Sequence, residues 1–268
     1  MPQLLSASAN AASSDLIAAM NHIACMERIT ATPAAFLVAQ SRLPDNATAG
    51  ELVILDSACG GAIITRLIFE EMKHSKADIK VISGDLVPAN VEVARMRIAE
   101  AGWNAEATVF DHLAIPYPVA SFDYVFVNFG IQFLLYPELA IKEFYRVLKP
   151  GGRVSLSIFT AVGAVDTVLS AAPEAVVPPI FNAIWTDSSF VRERLEQIGF
   201  EAVQVEELAF DVPFERVADF MDVVRTTRKD LFSDGVGEKV EKWLQDRYGN
   251  GPYVCTGFKA LIVTGVKE

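Results

Sequence analysis

Basic residues are scarce in this chain: 23 lysines and arginines stand against 34 aspartates and glutamates, leaving a net charge of −11. So acidic a surface has no broad basic face with which to neutralise phosphates, which argues against DNA or RNA as a partner. Cysteine is also thin. Cys25, Cys59 and Cys255 are odd in number and far apart, so they offer neither a disulfide framework nor metal-ligand spacing, and no metal is expected. Histidine occurs only as His22, His74 and His112. No apolar run reaches the ~18–20 residues of a membrane span. The first fourteen residues are rich in Ala, Ser and Asn and lack the basic start of a secretion signal. Together these absences predict a cytoplasmic protein with a frayed N-terminus, reduced thiols and no membrane partner. A Gly-x-Gly-x-x-Gly turn is missing too, which argues strongly against nicotinamide chemistry.

What is present is a core-forming composition, 51% apolar and 21% charged over 268 residues. Its centre is Leu52-Val53-Ile54-Leu55-Asp56-Ser57-Ala58-Cys59-Gly60-Gly61-Ala62. Four consecutive apolar residues read as a parallel strand buried on both faces. An acidic residue, a turn of small side chains and a helix from Ile63 follow, an order that builds nucleotide pockets because backbone and ligand can meet closely there. Four more strands repeat the theme. Ile79 to Asp85 is the second, Ala105 to Phe110 the third, Phe122 to Asn128 the fourth and Arg153 to Phe159 the fifth. Helices opened by Pro88 and Pro137 alternate with them. This alternation predicts an α/β, doubly wound parallel sheet with right-handed crossovers.

With those motifs in place, the sequence resembles the class I S-adenosylmethionine-dependent methyltransferases. Asp56 to Ala62 is similar to their glycine-rich first motif, with Ala58 and Ala62 where glycine is more frequent. Gly84-Asp85 resembles the acidic end of their second strand, Asp111-His112 their adenine-side motif, and Leu148 to Gly152 the turn before their fifth strand. The Ala-Cys-Gly version and Asn128-Phe129-Gly130-Ile131 are closest in style to a fungal branch making small molecules. The core is also similar to the ubiquinone/menaquinone methyltransferases. The resemblance implies a Rossmann-like seven-stranded sheet, mostly parallel with the last strand antiparallel. It also implies S-adenosylmethionine as cofactor, S-adenosylhomocysteine as product and a small-molecule acceptor.

Residue by residue, the resemblance implies that Asp56 and the backbone of Ser57, Ala58, Cys59 and Gly60 hold the methionine part. Asp85 would accept both ribose hydroxyls, the alternative being a capping aspartate. Asp111 and the His112 backbone would meet the adenine, with Leu86 and Leu113 on its faces, although Asp111 also suits a plain turn. Asn128 would sit under the sulfonium. Cys59 reads as a packed thiol rather than a nucleophile. Phe129, Gln132 and Phe133 follow the fourth strand and are expected to line the acceptor pocket. Phe36, Phe159, Trp185, Trp243 and Tyr248 are further candidates, against plain core packing. His22 is the one histidine singled out as a base.

Around that core, residues 1–48 read as an N-terminal lid of two helices, Asp15 to Glu27 and one opened by Thr32-Pro33 and stopped at Pro44. Residues 49–268 are the core, with two amphipathic helical segments inserted at about 212–252 before a last strand from Gly257 to Val266. Ala161 to Pro179 has no clear assignment. The expected activity is methyl transfer to O, S or N of a small, fairly apolar molecule. C-methylation of a quinone-like ring is one alternative, and a fold repurposed for cyclisation is another.

Overall fold

A computed structural model describes residues 2–43, 51–179, 182–232 and 235–268, with side chains from Ser14 onward. The chain opens with α1 (Pro2–Ser41), a single 40-residue helix that runs straight through Pro33. The sequence pattern predicts two helices here, with Pro33 in the first turn of the second; in the structure Pro33 stands mid-helix, where it forfeits the hydrogen bond to the Ile29 carbonyl. Burial supplies the compensation: Ile29, Ala34, Leu37 and Val38 on either side are core residues. The first residues, expected to fray, continue the same helix, in keeping with their alanine content. The expected stop at Pro44 and the polar connection 45–50 lie outside the described residues.

After it come β1 (Leu52–Ser57), α2 (Ile63–Glu71), β2 (Ile79–Asp85), α3 (Pro88–Ala101), β3 (Ala105–Val109), β4 (Phe122–Asn128) and α4 (Pro137–Val147). Then β5 (Leu148–Ala161) leads to α5 (Gly163–Ala171), which lies in the stretch left unassigned by the sequence. Helix α6 (Ser188–Ile198) is capped by Asp187, whose carboxylate accepts the Phe190 N–H at 2.9 Å. Strand β6 (Phe200–Phe214), α7 (Val217–Thr227), α8 (Val236–Tyr248) and β7 (Tyr253–Lys267) complete the order. The last strand is longer than the Gly257 to Val266 of its sequence pattern. Val212, Pro213 and Phe214 pair with Cys255, Val254 and Tyr253, so the helical insertion starts after Phe214 rather than near residue 212.

The seven strands form one sheet in the order β3-β2-β1-β4-β5-β7-β6. The first five are parallel, and β7 runs antiparallel to β5 and β6 on either side of it. Alternate residues serve opposite faces: Ile54, Val81, Phe126 and Ile262 belong to one buried layer with α1, α2, α5, α7 and α8. Their neighbours Leu55, Ile82, Val127 and Leu261 belong to the other, with α4 and α6. Ser57 is level with Gly84 on one side and Val127 on the other. That register brings the carboxyl ends of β1, β2 and β4 to one rim, where the strand order reverses and open α/β sheets bind ligands.

Candidate active site

The turn after β1 is built on backbone that side chains resist. Ala58, Gly60 and Ala62 all have left-handed φ, at 62°, 52° and 65°, and Phe129 across the rim has 56°. Each non-glycine residue held there costs of order 1–2 kcal/mol. The strain is fastened by hydrogen bonds. Cys59 N–H donates to the Gly84 carbonyl at 2.9 Å, Gly60 N–H to Asp85 Oδ2 at 2.9 Å, and Ala62 N–H to the Cys59 carbonyl at 2.7 Å. The Cys59 and Gly60 N–H groups are therefore committed within the protein and are not free donors of the turn.

Asp56 is fully buried beneath it. The Thr65 N–H and hydroxyl both donate to Asp56 Oδ2, at 3.1 and 2.7 Å, tying β1 to the first turn of α2. Burial nevertheless wins over these bonds, and with the like charge of Asp85 it pushes the Asp56 carboxyl up to about 7. Cys59 is 2% exposed, and burial raises its thiol well above the ordinary range, so it stays protonated and packed. Asp85 accepts from Gly60 through Oδ2, and from Val87 N–H (2.9 Å) and Asn90 Nδ2 (3.3 Å) through Oδ1.

Asn128 ends β4 in a relay. Phe129 N–H donates to Ser157 Oγ (2.9 Å), Ser157 to Asn128 Oδ1 (2.8 Å), and Asn128 Nδ2 to the Thr30 carbonyl of α1 (3.4 Å). A second tie joins α1 to the turn. Arg97 of α3 pairs with Glu27 and donates to the Gly61 carbonyl at 2.7 Å. Gly61 has no room for a side chain, because a Cβ would fall 2.5 Å from both Ile23 and Arg97.

Between α1 and the turn lies a half-open cavity of about 610 Å³, lined by Asp56, Ala58, Cys59, Gly60, Asn128 and Phe129 from the rim. His22, Met26 and Thr30 line it from α1, one helical turn apart. No lysine or arginine is among its lining residues, so its charge is acidic. A second cavity of about 670 Å³ adjoins it, sharing His22 and Met26 and continuing past Ile29, Phe133, Phe159, Val162, Thr227 and Arg228. Phe159 and Phe129 stack with centroids 3.6 Å apart, forming the wall between the two.

Not every predicted residue joins them. Asp111 is exposed and its Oδ1 accepts the Leu113 N–H at 2.9 Å; Leu86 is exposed beside β2. His112 is buried, its Nδ1 hydrogen-bonded to Ser57 Oγ at 2.7 Å, and burial lowers its basicity. These residues lie on the β2–β3 side of the rim, outside both cavities. Gln132 is buried behind Phe159, whose N–H donates to its Oε1 at 3.4 Å. Phe36 is a half-exposed residue on α1, and Trp185 packs edge-on against Phe190 in the opposite layer, so neither lines a cavity. Trp243 and Tyr248 of α8 are absent from the walls as well. Sequence reasoning missed Met26, Thr30, Asn90, Thr227 and Arg228. The first two follow His22 at helical spacing and were findable from it; the others had no local signal. Among the described residues no cluster of His, Cys, Asp or Glu is arranged to hold a metal, and no helix is long and apolar enough to cross a membrane.

A family model described as a methyltransferase domain matches residues 55–156. Methyltransferase ktnA of Aspergillus niger is 27% identical over 218 residues, covering 68% of this chain and 72% of that protein. An acetylaranotin bis-thiomethyltransferase of Aspergillus terreus is 25% identical over 239 residues, covering 81% and 82%. A demethylmenaquinone methyltransferase of Thermus thermophilus is 33% identical over 101 residues, 38% of this chain and 44% of that one. Among solved structures, the YcgJ protein of Bacillus subtilis superposes with a TM-score of 0.59 at 16% identity, covering 88% and 98%. The strand order, the acidic strand ends at one rim and these relatives agree: the chain belongs to the class I S-adenosylmethionine-dependent methyltransferases and is homologous to the fungal and the ubiquinone/menaquinone members.

Proposed function

We propose that this methyltransferase acts on a small, fairly apolar molecule of secondary metabolism and methylates it at O, S or N. The single observation that carries the reading is the apolar second cavity, which opens off the acidic one through His22 and Met26. Fungal relatives support it, one of them named for thiomethylation.

The acidic cavity suits the cofactor. An added Cβ at Gly60 would meet nothing within 4 Å, so the turn leaves open space on its outer side. Asp56 finds no compensating cation in the protein, and a positively charged ligand would supply one. In this reading Asp56 and the turn from Ser57 to Gly60 hold the methionine part, Asp85 the ribose, and Asn128 the region of the sulfur. Asp111, His112, Leu86 and Leu113 form the adenine side. When bound, S-adenosylmethionine supplies a methyl group already activated by its sulfonium.

The chain's own contribution is then alignment and exclusion of water, which can provide roughly 7–11 kcal/mol of a displacement barrier. Phe129 and Phe159 fix the wall between donor and acceptor, and α1 with the α7–α8 insertion covers the chamber as a lid. His22 at the junction accepts the proton of a hydroxyl acceptor, whereas an ionised thiol or phenol needs no such help. C-methylation of a quinone-like ring is the second reading, favoured by the similarity to the demethylmenaquinone enzyme.

Incubation with S-adenosylmethionine carrying a deuterated methyl, together with thiol, phenol, aniline and quinol probes, separates these readings by mass spectrometry. Label on a heteroatom is expected. Label on a quinol ring carbon supports the second reading, and a tightly bound cofactor with no transfer to any probe contradicts both.

A further inference from the structure

Arg228 is pinned where α7 ends. Its N–H donates to the Val224 carbonyl at 2.8 Å and its carbonyl accepts from Leu231 N–H at 3.0 Å. The residue is only 8% exposed. Its Nε donates to Asp230 at 2.9 Å and its Nη2 at 2.6 Å, a fork that spends one edge of the guanidinium on one carboxylate. Nη1 is buried and has no partner in the protein.

That orphan belongs to a residue lining the second cavity, among Met26, Ile29, Phe133, Phe159 and Val162. A second orphan stands behind Phe159: Gln132 uses its Oε1 on the Phe159 N–H, while its Nε2 is buried without a partner. Both are donors. A buried N–H that stays unmade is penalised, and more so on a charged group, so a partner arriving from the chamber recovers that cost. An all-hydrocarbon occupant recovers nothing, and a cationic one is repelled. Because Asp230 already offsets the charge of Arg228, an oxygen with partial negative charge is enough.

We propose that Arg228 is the residue that selects the acceptor, its Nη1 donating to a carbonyl, phenolate or carboxylate oxygen on an otherwise apolar molecule. This rests on reading the second cavity as the acceptor chamber. It adds a buried, unspent donor to a site whose other walls are apolar apart from His22 at the junction and Thr227, and it places that donor on the inserted segment rather than on the sheet.

The test uses three fluorinated probes of similar size: 4′-fluoroacetophenone, 4-fluorobenzoate and 1-ethyl-4-fluorobenzene. Each is titrated against the full chain by ¹⁹F NMR, with and without S-adenosylhomocysteine. At least one oxygenated probe is expected to bind ~10-fold tighter than the hydrocarbon, the scale of one hydrogen bond to a charged group. Which of the two gains more tells a neutral carbonyl from an anion. Arg228→Met is expected to bring all three within about twofold of each other, while S-adenosylhomocysteine affinity by calorimetry reports that the variant is folded. A wild-type protein without preference overturns the proposal, as does a folded R228M that keeps it. Should R228M not fold, the wild-type preference and Arg228→Gln decide in its place. Failure of the wild type to bind S-adenosylhomocysteine breaks the cofactor assignment instead, and the probe titrations without it remain readable.

Discussion

The two adjoining cavities are made in opposite ways. The acidic one is a backbone construction: left-handed residues at 58, 60, 62 and 129, and hydrogen bonds that run from one strand end to the next. The apolar one is a side-chain construction whose walls come from α1, the end of β5 and the end of α7, far apart in sequence. In the first, almost every polar group already has a partner, and the protein has accepted strain to keep the shape. In the second, little is strained, and a donor on its lining residue Arg228 is left unmade, with another on Gln132 behind the Phe159 wall. A rigid, pre-formed cradle suits a ligand that never changes, whereas a chamber of contacts borrowed from additions to the core can change its acceptor without disturbing the fold.

That contrast can be broken at Asp85 first. Its carboxylate both fastens Gly60 and Val87 and is proposed to meet the ribose, so Asp85→Ala is expected to cost at least ~100-fold in S-adenosylhomocysteine affinity, about 3 kcal/mol. Near-normal calorimetric affinity would show that the cradle does not depend on it. Next comes Gly84→Ala, whose Cβ would stand 1.9 Å from the Phe110 ring. Overpacking of this kind is expected to lower unfolding stability by about 1–3 kcal/mol in a denaturant titration.

Asp56 gives a pH test with a defined sign. The folded protein holds this proton up to about 7, whereas an unfolded aspartate releases it near 3.8, so folding favours the protonated form. Stability from this group is complete below pH 4 and is lost as pH rises toward 7. Asp56→Asn keeps an acceptor for Thr65 and removes the titration. The variant should therefore gain on the wild type by of order 2 kcal/mol between pH 4 and pH 7.5, allowing for relaxation around a buried charge. A constant difference across that range would show that Asp56 titrates normally. The smallest effect is expected at Ala62→Gly, where relief of the left-handed φ is offset by the entropy glycine adds to the unfolded chain and by loss of a buried methyl, leaving stability within about 0.5 kcal/mol of the wild type. A loss of about 1.5 kcal/mol, the entropy and methyl terms with no relief, would mean the turn is not strained.

Legibility in the sequence follows the same division. The parallel strands announced themselves because residues 52–55, 81–82 and 124–127 are consecutive apolar runs, apolar on both faces, and each strand ends at the rim in a polar residue or small turn. The cradle could be named because its chemistry is local: Asp56 to Ala62 are neighbours in the chain as well as in space. Pro33 misled because a first-turn proline and a mid-helix proline look alike until the burial of Ala34 and Leu37 on the next turn is known. Phe36 and Trp185 were attractive for being large, yet ring size says nothing about which face of an element it occupies. Arg228 was invisible, since only folding brings the end of α7 against Phe159 and Met26.

A crystal structure of the protein soaked with S-adenosylhomocysteine is the most direct measurement. The expected density lies against the turn from Asp56 to Gly60, with the sugar at Asp85 and the sulfur between Asn128 and the Phe129 wall. Density elsewhere on the sheet, or a cradle left empty at saturating ligand, would contradict the assignment.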